Sequence, residues 1–317
     1  GATIPHNVFM VFQMMFAVIT PALISGAIVG RMKFSSYVVF ILLWGLCIYN
    51  PLCHWVWGPG GWIGADGALD FAGGTVVHVS AGVSALVAAI ILGPRNGYPT
   101  RPMIPHHVPF VMLGAGLLWF GWFGFNAGSA LGANALAGTA FVTTNLATAA
   151  AVVAWSLLEW FKGGQVTAVG IATGAVVGLV TITPAAGFVT PMGALGMGAI
   201  GAAISFTAIQ LLAGIKTLDD SLDVFACHGM GGISGSILTG VFASKIANPD
   251  GADGLLYGDA SLMWPQLKGT LAAALLAAVG TAVILYLIKA VMGLRPEADE
   301  EQQGLDVSQH AEEAYLR

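Results

Sequence analysis

Two histidines lie in apolar stretches of the sequence, and each begins the same short pattern. His78 and His228 both start the motif His-x-x-x-Gly-x-Ser, where x is any residue. At 1.5 Å of rise per helical residue, each imidazole is expected about 10 Å into a membrane whose apolar core is about 30 Å thick. Two imidazoles on opposed helices can share a proton, with ring nitrogens about 2.7–3.2 Å apart. The repeated placement favours such a pair over two separate histidines that each bond a backbone carbonyl.

An aspartate precedes each of these histidines. Asp70 stands before His78, and Asp223 stands before His228, each at the start of an apolar segment. A carboxylate at the start of a helix accepts hydrogen bonds from the free N–H groups of its first turn. This capping role is the favoured interpretation for both residues. Asp70 could also favour a nearby cation through its electric field.

Aromatic residues gather at one end of the apolar segments. Phe12 and Phe16 lie four residues apart and therefore share a helix face. Trp57 ends one segment, while Phe125 and Ser129 end another. An aromatic belt at the membrane surface accounts for many such residues. Alternatively, a tryptophan face and a serine hydroxyl bind a small cation by cation–π attraction and hydrogen bonding. Composition alone does not choose between these interpretations.

The composition requires lipid as the solvent for most of the chain. The protein is 56% hydrophobic and 9% charged, with a mean hydropathy of +0.81. A soluble protein carries about 25% charged residues, which is enough to coat its surface. The three cysteines show neither metal-binding nor disulfide spacing. We expect no metal, no other cofactor and no nucleic-acid partner.

Nine stretches are long and apolar enough to cross a membrane as helices. They cover residues 8–30, 35–57, 72–93, 108–130, 136–161, 166–188, 192–214, 222–244 and 267–292. Most of the basic residues that flank them, eight of ten, fall on one side. This bias predicts a cytoplasmic C-terminus and an external N-terminus. The histidine motif occurs on spans that enter from opposite sides, which indicates an inverted repeat around a midplane site. The predicted fold class is all-α, a polytopic membrane helical bundle.

Five strings of the sequence resemble bacterial ammonium transporters of the Amt/Mep/Rh family. They are TIPHNVFMVFQMMFAVITPALI (3–24), ALDFAGGTVVH (68–78), GWFGFNAGSA (121–130), DVFACHG (223–229) and GLDVSQHAEEAY (304–315). The strings follow one another in the family's order and extend over nearly the whole chain. The resemblance implies an inverted-repeat ammonium transporter fold and no enzymatic activity. It also implies transport of ammonium or ammonia, with methylammonium as an analogue.

The resemblance also implies a role for the candidate residues. Trp57 and Ser129 match the outer ammonium-binding site. Phe16 and Phe125 match the stacked phenyl gate. His78 and His228 match the twin pore histidines. Asp70 matches the acid near the binding site. NH4+ would bind outside, lose a proton, and cross the apolar pore as NH3. The sequence leaves open whether the histidines also relay the proton.

The number of spans departs from the family pattern. The family's bacterial form has eleven spans, and the first span here aligns with its third. We therefore expect the first two transmembrane helices to be lacking from this chain. Two regions are predicted, a transmembrane domain at 1–295 and a cytoplasmic tail at 296–317. An inactive, truncated family member is one alternative to a transporter, and an ammonium sensor is another. An intramembrane metalloenzyme ranks last, because the sequence contains no His-Glu-x-x-His motif.

The tail carries seven of the chain's sixteen acidic residues and no apolar run. Composition alone predicts a disordered end. The resemblance instead predicts an ordered tail docked on cytoplasmic loops, near the basic residues Arg31, Lys33, Arg95 and Arg101. It further implies a homotrimer in the bacterial inner membrane. A PII-type nitrogen signalling protein is the implied partner at the cytoplasmic face.

Overall fold

The computed structural model describes residues 3–101 and 103–315, and most of these residues are helical. The helices are α1 (His6–Ile28), α2 (Phe34–Trp44), α3 (Asn50–Trp57), α4 (Trp62–Ala65), α5 (Ser80–Leu92), α6 (Val108–Gly128), α7 (Ala135–Gly163), α8 (Ala168–Ile182), α9 (Pro191–Leu212), α10 (Gly231–Phe242), α11 (Met263–Met292), α12 (Ala298–Gln303) and α13 (Leu305–His310). Three π-helical turns, Gly45–Tyr49, Gly74–Val79 and Phe225–Met230, lead into α3, α5 and α10. Within the described ranges no strand forms, and Val189 and Ala243 make a single isolated bridge. The all-α prediction is confirmed.

Each of the nine predicted spans contains a helical segment within the described residues. Seven of these segments are long and apolar enough to cross a membrane. The two shorter ones are α8 and the segment formed by α10 with its π-helical turn. Helix α8 ends at Ile182, short of the predicted 188, because the backbone turns over residues 183–187, which are buried. Irregular backbone at membrane depth is tolerated where protein surrounds it.

The outer surface of the bundle is apolar and its interior is partly polar. Phe120 on α6 is 76% exposed and Val291 on α11 is 85% exposed. In contrast, Thr143, Ser205 and Thr281 are fully buried. This distribution reverses that of a soluble protein and suits a bundle whose outer faces contact lipid tails.

The repeated glycine of the histidine motif allows the two histidine-bearing segments to cross closely. A side chain at Gly82 would overlap the backbone of Gly229, and one at Gly232 would lie 2.9 Å from both the carbonyl oxygen of Gly74 and Cβ of His78. Each motif glycine thus packs against the other histidine's segment. The motif recurs because one close crossing requires a small residue on each of the two segments.

A buried ionic cluster ties together the loops at the end predicted to be cytoplasmic. Arg31 is fully buried and donates to the carbonyl oxygens of Gly93 at 2.7 Å and Asp219 at 2.5 Å, and to Ser221 Oγ at 2.8 Å. Burial lowers the pKa of the Arg31 guanidinium to about 10. Arg95 makes an ion pair of 2.7 Å with Asp219. Burial opposes ionisation of Asp219, but the hydrogen bonds from Arg95 lower the pKa of its carboxyl below the usual value.

The described part of the tail forms two short helices, α12 and α13, that lie against the transmembrane region. Glu301 accepts hydrogen bonds from Arg295 Nη2 at 2.5 and 2.6 Å and from the backbone N–H of Asn96 at 3.0 Å. Gln309 Oε1 accepts from the backbone N–H of Phe34 at 2.9 Å. The acidic tail therefore has ordered contacts with the loop after α5 and with the start of α2.

The tail contacts Phe34 and Asn96, beside the predicted Lys33 and Arg95, but its ion pair is with Arg295. The guanidinium of Arg295 also donates to the carbonyl oxygens of Leu92 and Pro94 at the end of α5. Arg95 is instead paired with the buried carboxylate of Asp219, and Arg31 donates to the backbone carbonyl oxygen of the same residue. Lys33 Nζ lies 3.4 Å from the carbonyl oxygen of Met292.

Candidate functional site

A cavity of about 560 Å³ opens at the end of the bundle that holds Trp57. Its wall is formed by α1, by α3 and by the residues after α6, which place Trp57 and Ser129 on the same cavity. The lining residues are Phe9, Phe12, Gln13, Phe16, Asn50, Cys53, His54, Trp57, Gly58, Pro59, Phe71, Ser129 and Leu131. The cavity thus offers aromatic faces and a few neutral polar groups. Trp57 faces this cavity, which argues against a place in a membrane-surface belt.

Phe16 lines this cavity, and its ring packs against that of Phe125. The ring centroids of Phe16 and Phe125 are 4.5 Å apart, and the ring planes are tilted by 49°. The predicted gate is therefore a tilted pair rather than two parallel rings. Phe16 is 3% exposed and packs edge-on against Trp57 at 5.8 Å. An apolar pair of this kind excludes water and hydrated ions from the space below it.

His78 and His228 meet beyond the phenylalanine pair. Their Nδ1 atoms lie 3.2 Å apart, at the upper end of the range predicted for ring nitrogens that share a proton. Their ring centroids are 5.3 Å apart. Both rings are buried, at 0% and 8% exposure. Each histidine lies on a π-helical turn, Gly74–Val79 or Phe225–Met230. The extra residue of such a turn shifts the side chains that follow it, and π-turns are frequent at functional sites.

Aromatic rings also enclose the histidine pair. His78 stacks on Trp122 at 5.3 Å and on Phe125 at 5.9 Å. Trp122 is held by its own hydrogen bond, 2.9 Å from Nε1 to Oγ1 of Thr183. Nε2 of His78 is buried and has no hydrogen-bonding partner among the described residues. The free nitrogen can accept from, or donate to, a small molecule that passes along the rings.

Asp70 connects the outer cavity to the histidine segment. Its carboxylate accepts hydrogen bonds from four consecutive backbone N–H groups, residues 73–76, at 2.7 to 3.1 Å. Its carbonyl oxygen accepts from Nε1 of Trp57 at 2.8 Å. The carboxylate therefore caps the start of the His78 segment, as the sequence predicts, while its backbone orients the indole of the cavity.

The corresponding cap on the other segment is Asp220, and the prediction for Asp223 is wrong. Oδ2 of Asp220 accepts from the backbone N–H of Phe225 at 2.7 Å. Asp223 adopts a φ of 54°, and its side chain makes no hydrogen bond within the described residues. Asp223 lines a separate cavity of about 390 Å³ together with Arg95 and Asp219. Because Asp219, Asp220 and Asp223 lie within five residues, the sequence does not show which of them caps the helix.

Sequence reasoning also missed Gln13. This residue lies on the cavity-facing side of α1, between Phe12 and Phe16, and its Oε1 atom is buried without a partner among the described residues. The available signal was a single amide at helical spacing among phenylalanines. Three Cys, His, Asp or Glu side chains placed to hold a metal ion are not found in the described ranges.

The fold and the site define a multi-pass membrane protein in which a line of aromatic rings runs from an open cavity to a buried histidine pair. The chain belongs to the Ammonium Transporter Family, whose sequence model matches residues 1–315.

Ammonium transporters of other organisms are similar to this chain over nearly its whole length. An ammonium transporter of Bacillus subtilis (strain 168) is 49% identical over 313 residues, which are 99% of this chain and 77% of that protein. An ammonium transporter of Aquifex aeolicus (strain VF5) is 52% identical over 311 residues, which are 98% and 72% of the two chains.

Solved structures show the same fold. The crystal structure of Mep2 from Candida albicans has a TM-score of 0.88 at 36% identity, covering 94% of this chain and 68% of that one. A structure described as a sensor Amt protein has a TM-score of 0.88 at 32% identity, covering 95% and 76%. These likenesses confirm the ammonium transporter fold.

Proposed function

We propose that this protein transports ammonium across a membrane by binding NH4+ in the outer cavity and passing NH3 along the ring line to the histidine pair. One observation carries the proposal. The rings of Trp57, Phe16, Phe125, His78 and His228 form an unbroken series, with successive centroids 5.8, 4.5, 5.9 and 5.3 Å apart. The series begins at an open cavity and ends at a buried pair of titratable groups.

The outer cavity suits a small cation. The face of Trp57 attracts positive charge through its quadrupole, and its N–H group is already bound to Asp70. Ser129 donates its hydroxyl proton to the carbonyl oxygen of Phe125 at 2.8 Å, so its lone pairs remain free to accept from NH4+. Neutral groups bind the ion without holding it as a carboxylate would.

The buried rings favour neutral ammonia. A charge at the centre of a membrane costs at least about 2.5–3.5 kcal/mol, and the tilted phenyl pair offers it no replacement for water. Transfer of one proton from NH4+ to water in the outer cavity, or onward to the histidine pair, leaves neutral NH3 and removes that cost. The histidines then provide ring nitrogens that bind NH3, and the 3.2 Å separation of their Nδ1 atoms lets them share a proton.

The proposal includes the orientation of the protein in the membrane, its cellular location and its oligomeric state. The cavity with Trp57 faces the exterior, the N-terminus lies outside, and the tail lies in the cytoplasm of a bacterial cell, as the basic residues indicate. The protein works as a homotrimer, with 1–295 as its transmembrane domain and 296–317 as its tail. The ordered tail contacts of Glu301 and Gln309 support a cytoplasmic surface that a PII-type protein can bind.

An ammonium sensor is the second candidate function. The likeness to the sensor Amt protein favours it, with 32% identity over 95% of this chain. A sensor binds ammonium in the same cavity but need not move it through the gate. Binding without flux would therefore distinguish the sensor from the transporter.

Uptake by the full chain in lipid vesicles tests the proposal. Radiolabelled methylammonium is supplied at pH 6, where nearly all of it is protonated and little crosses lipid unaided. We expect saturable uptake that ammonium inhibits, and loss of this uptake in Phe16→Ala or His78→Ala. Vesicles with Trp264→Leu serve as the control, because Trp264 is 65% exposed and lies outside the cavity. Uptake no faster than in protein-free vesicles would reject transport.

A further inference from the structure

We infer that His107 is a pH-sensitive cap: when its ring gains a proton, the start of α6 loosens and the tail loses a contact there. Helix α6 carries Trp122 and Phe125, the rings that stack on His78. The cap therefore holds the start of a helix that encloses the buried histidine pair. This inference goes beyond the proposed function, because it concerns regulation at the tail end of the bundle and not the ion path.

His107 caps α6 with a ring nitrogen. The helix begins at Val108, and His107 precedes it with a φ of −152° and a ψ of 92°. Nδ1 of His107 accepts a hydrogen bond from the backbone N–H of Phe110 at 3.1 Å. The carbonyl oxygen of His107 lies at the same distance from that N–H group and shares it. Serine, threonine, asparagine and aspartate are the usual residues at this position, and none of them changes charge near pH 7.

Protonation of the ring removes this cap. Nδ1 can accept a hydrogen bond only in the neutral imidazole whose proton is on Nε2. Histidine side chains change charge between about pH 5 and pH 8. In the charged ring an N–H group would face the N–H group of Phe110, and a positive charge would lie at the positive end of the helix dipole. The cap is therefore formed at the upper end of this pH range and lost as the pH falls.

The described end of the tail lies against the same place. The ring of Tyr315 stacks on His106 at 5.4 Å and lies 6.5 Å from His107. The ring of His107 lies 4.1 Å from that of Phe110. A His107 ring that turns away from the N–H of Phe110 also leaves this aromatic cluster. Cation–π attraction is weak at exposed sites such as this one, so it does not offset the lost cap and the repulsion by the dipole.

Few ionisable groups surround His107. They are His106 and Arg101 from the same loop, and Glu312, Glu313 and Tyr315 from the tail. The ion pairs found in the described part of the chain are those of Arg95, Lys268 and Arg295, so no carboxylate there stabilises a charged His107. His106 is the neighbour whose residue type changes charge in the same pH range, and it therefore provides the control.

Hydrogen exchange of the first turn of α6 tests the cap. The full chain in lipid nanodiscs is compared at about pH 8 and about pH 5.5, with the intrinsic effect of pH on exchange subtracted. We expect protection of the Phe110 amide to be about fivefold lower at the lower pH, the effect of losing one capping hydrogen bond. His107→Asn keeps a cap that does not titrate and should remove this pH dependence. His107→Ala should show the low protection at both pH values, and His106→Asn should behave as the unsubstituted protein.

A second variant tests the link to the tail. Coupling between two contacts is reciprocal, so removal of the Tyr315 ring should weaken the cap that supports it. At about pH 8 we expect Tyr315→Ala to lower protection of the Phe110 amide at least about twofold, the lower end of the effect of an aromatic pair. At the lower pH it should have no effect, because the cap is already open. Tyr286→Ala removes a similarly exposed tyrosine on α11 and should leave the amide unchanged at both pH values.

The outcomes separate the parts of the inference. Equal protection at both pH values in the unsubstituted protein, or a pH dependence that persists in His107→Asn, would overturn the cap. Unchanged protection in Tyr315→Ala at the higher pH would overturn the link to the tail. None of these measurements uses ammonium flux, so failure of the transport proposal and failure of this inference are observed independently.

Discussion

The two histidine-bearing segments are built alike but end in different surroundings. Each has a π-helical turn, a histidine at that turn and a glycine four residues later that packs against the other segment. The His78 segment starts beside an aromatic cavity. The His228 segment starts beside the buried cluster of Arg31, Arg95 and Asp219. The shared features of the two segments therefore place the histidines. The residues around the start of each segment differ, and they give one end of the protein an aromatic cavity and the other an ionic cluster.

The largest expected effect lies where the segments cross. A methyl group at Gly82 overlaps the backbone of Gly229, whereas one at Gly232 meets its nearest atoms at 2.9 Å. We expect Gly82→Ala to lower the free energy of unfolding by about 3 kcal/mol, and Gly232→Ala by less. Thermal unfolding in detergent measures both.

Gly121→Ala is the matched control for the crossing. It lies in α6, and nothing is found within 4 Å of its added methyl group. The substitution should leave stability unchanged or raise it by up to about 1 kcal/mol, because alanine favours helices. If Gly82→Ala unfolds together with Gly121→Ala, the close crossing does not govern stability.

The two caps should differ in strength. Asp70 accepts four backbone hydrogen bonds, whereas Oδ2 of Asp220 accepts one from Phe225. We expect Asp70→Ala to cost about 3 kcal/mol of stability and Asp220→Ala about 1.5 kcal/mol. Asp223→Ala should cost little, since its carboxylate caps nothing. Equal losses for all three variants in a thermal unfolding series would refute the assignment of caps.

Trp57→Leu should weaken substrate binding rather than folding. Loss of the cation–π face costs about 0.5–2 kcal/mol, which raises the half-saturation concentration for ammonium by about 2- to 30-fold. Trp264→Leu removes an exposed indole elsewhere and should leave that concentration unchanged. Inhibition of methylammonium uptake by ammonium compares the two variants whether or not transport carries charge, and an equal shift in both would remove Trp57 from the ion site.

The smallest effect is expected in the tail. Glu301→Gln weakens a contact with Arg295 and with the loop after α5, and it should lower stability by less than about 1 kcal/mol. Proteolysis of α12 and α13 should nevertheless accelerate, while uptake stays unchanged. Deletion of residues 296–317 should also spare the pore and abolish the regulation that we propose for a PII-type protein. Unaltered proteolysis of Glu301→Gln would show that this contact does not hold the tail.

Much of the site could be predicted because the chemistry is unusual at its position. A histidine within an apolar helix is rare, and the shared His-x-x-x-Gly-x-Ser motif linked His78 to His228 before any contact was known. The nine helical segments follow from length and hydropathy, which lipid imposes on every spanning helix.

Other features depend on backbone detail that composition does not carry. The π-helical turns add one residue to a helix and leave no signature in hydropathy. The acids 219, 220 and 223 are alike in sequence, and only the backbone of Asp223, with its φ of 54°, separates it from the cap. Gln13 was missed because an amide beside phenylalanines gains meaning only when the cavity is known.

An ammonium-concentration jump on vesicles that contain the protein, with the charge and pH changes recorded together, tests whether ammonium crosses along the ring line and passes the histidine pair. Passage along this line predicts a saturable response in the unsubstituted protein that is lost or altered in charge selectivity in both His78→Asp and His228→Asp. A response that is identical in all three proteins, or equal to that of protein-free vesicles, would contradict passage along this line.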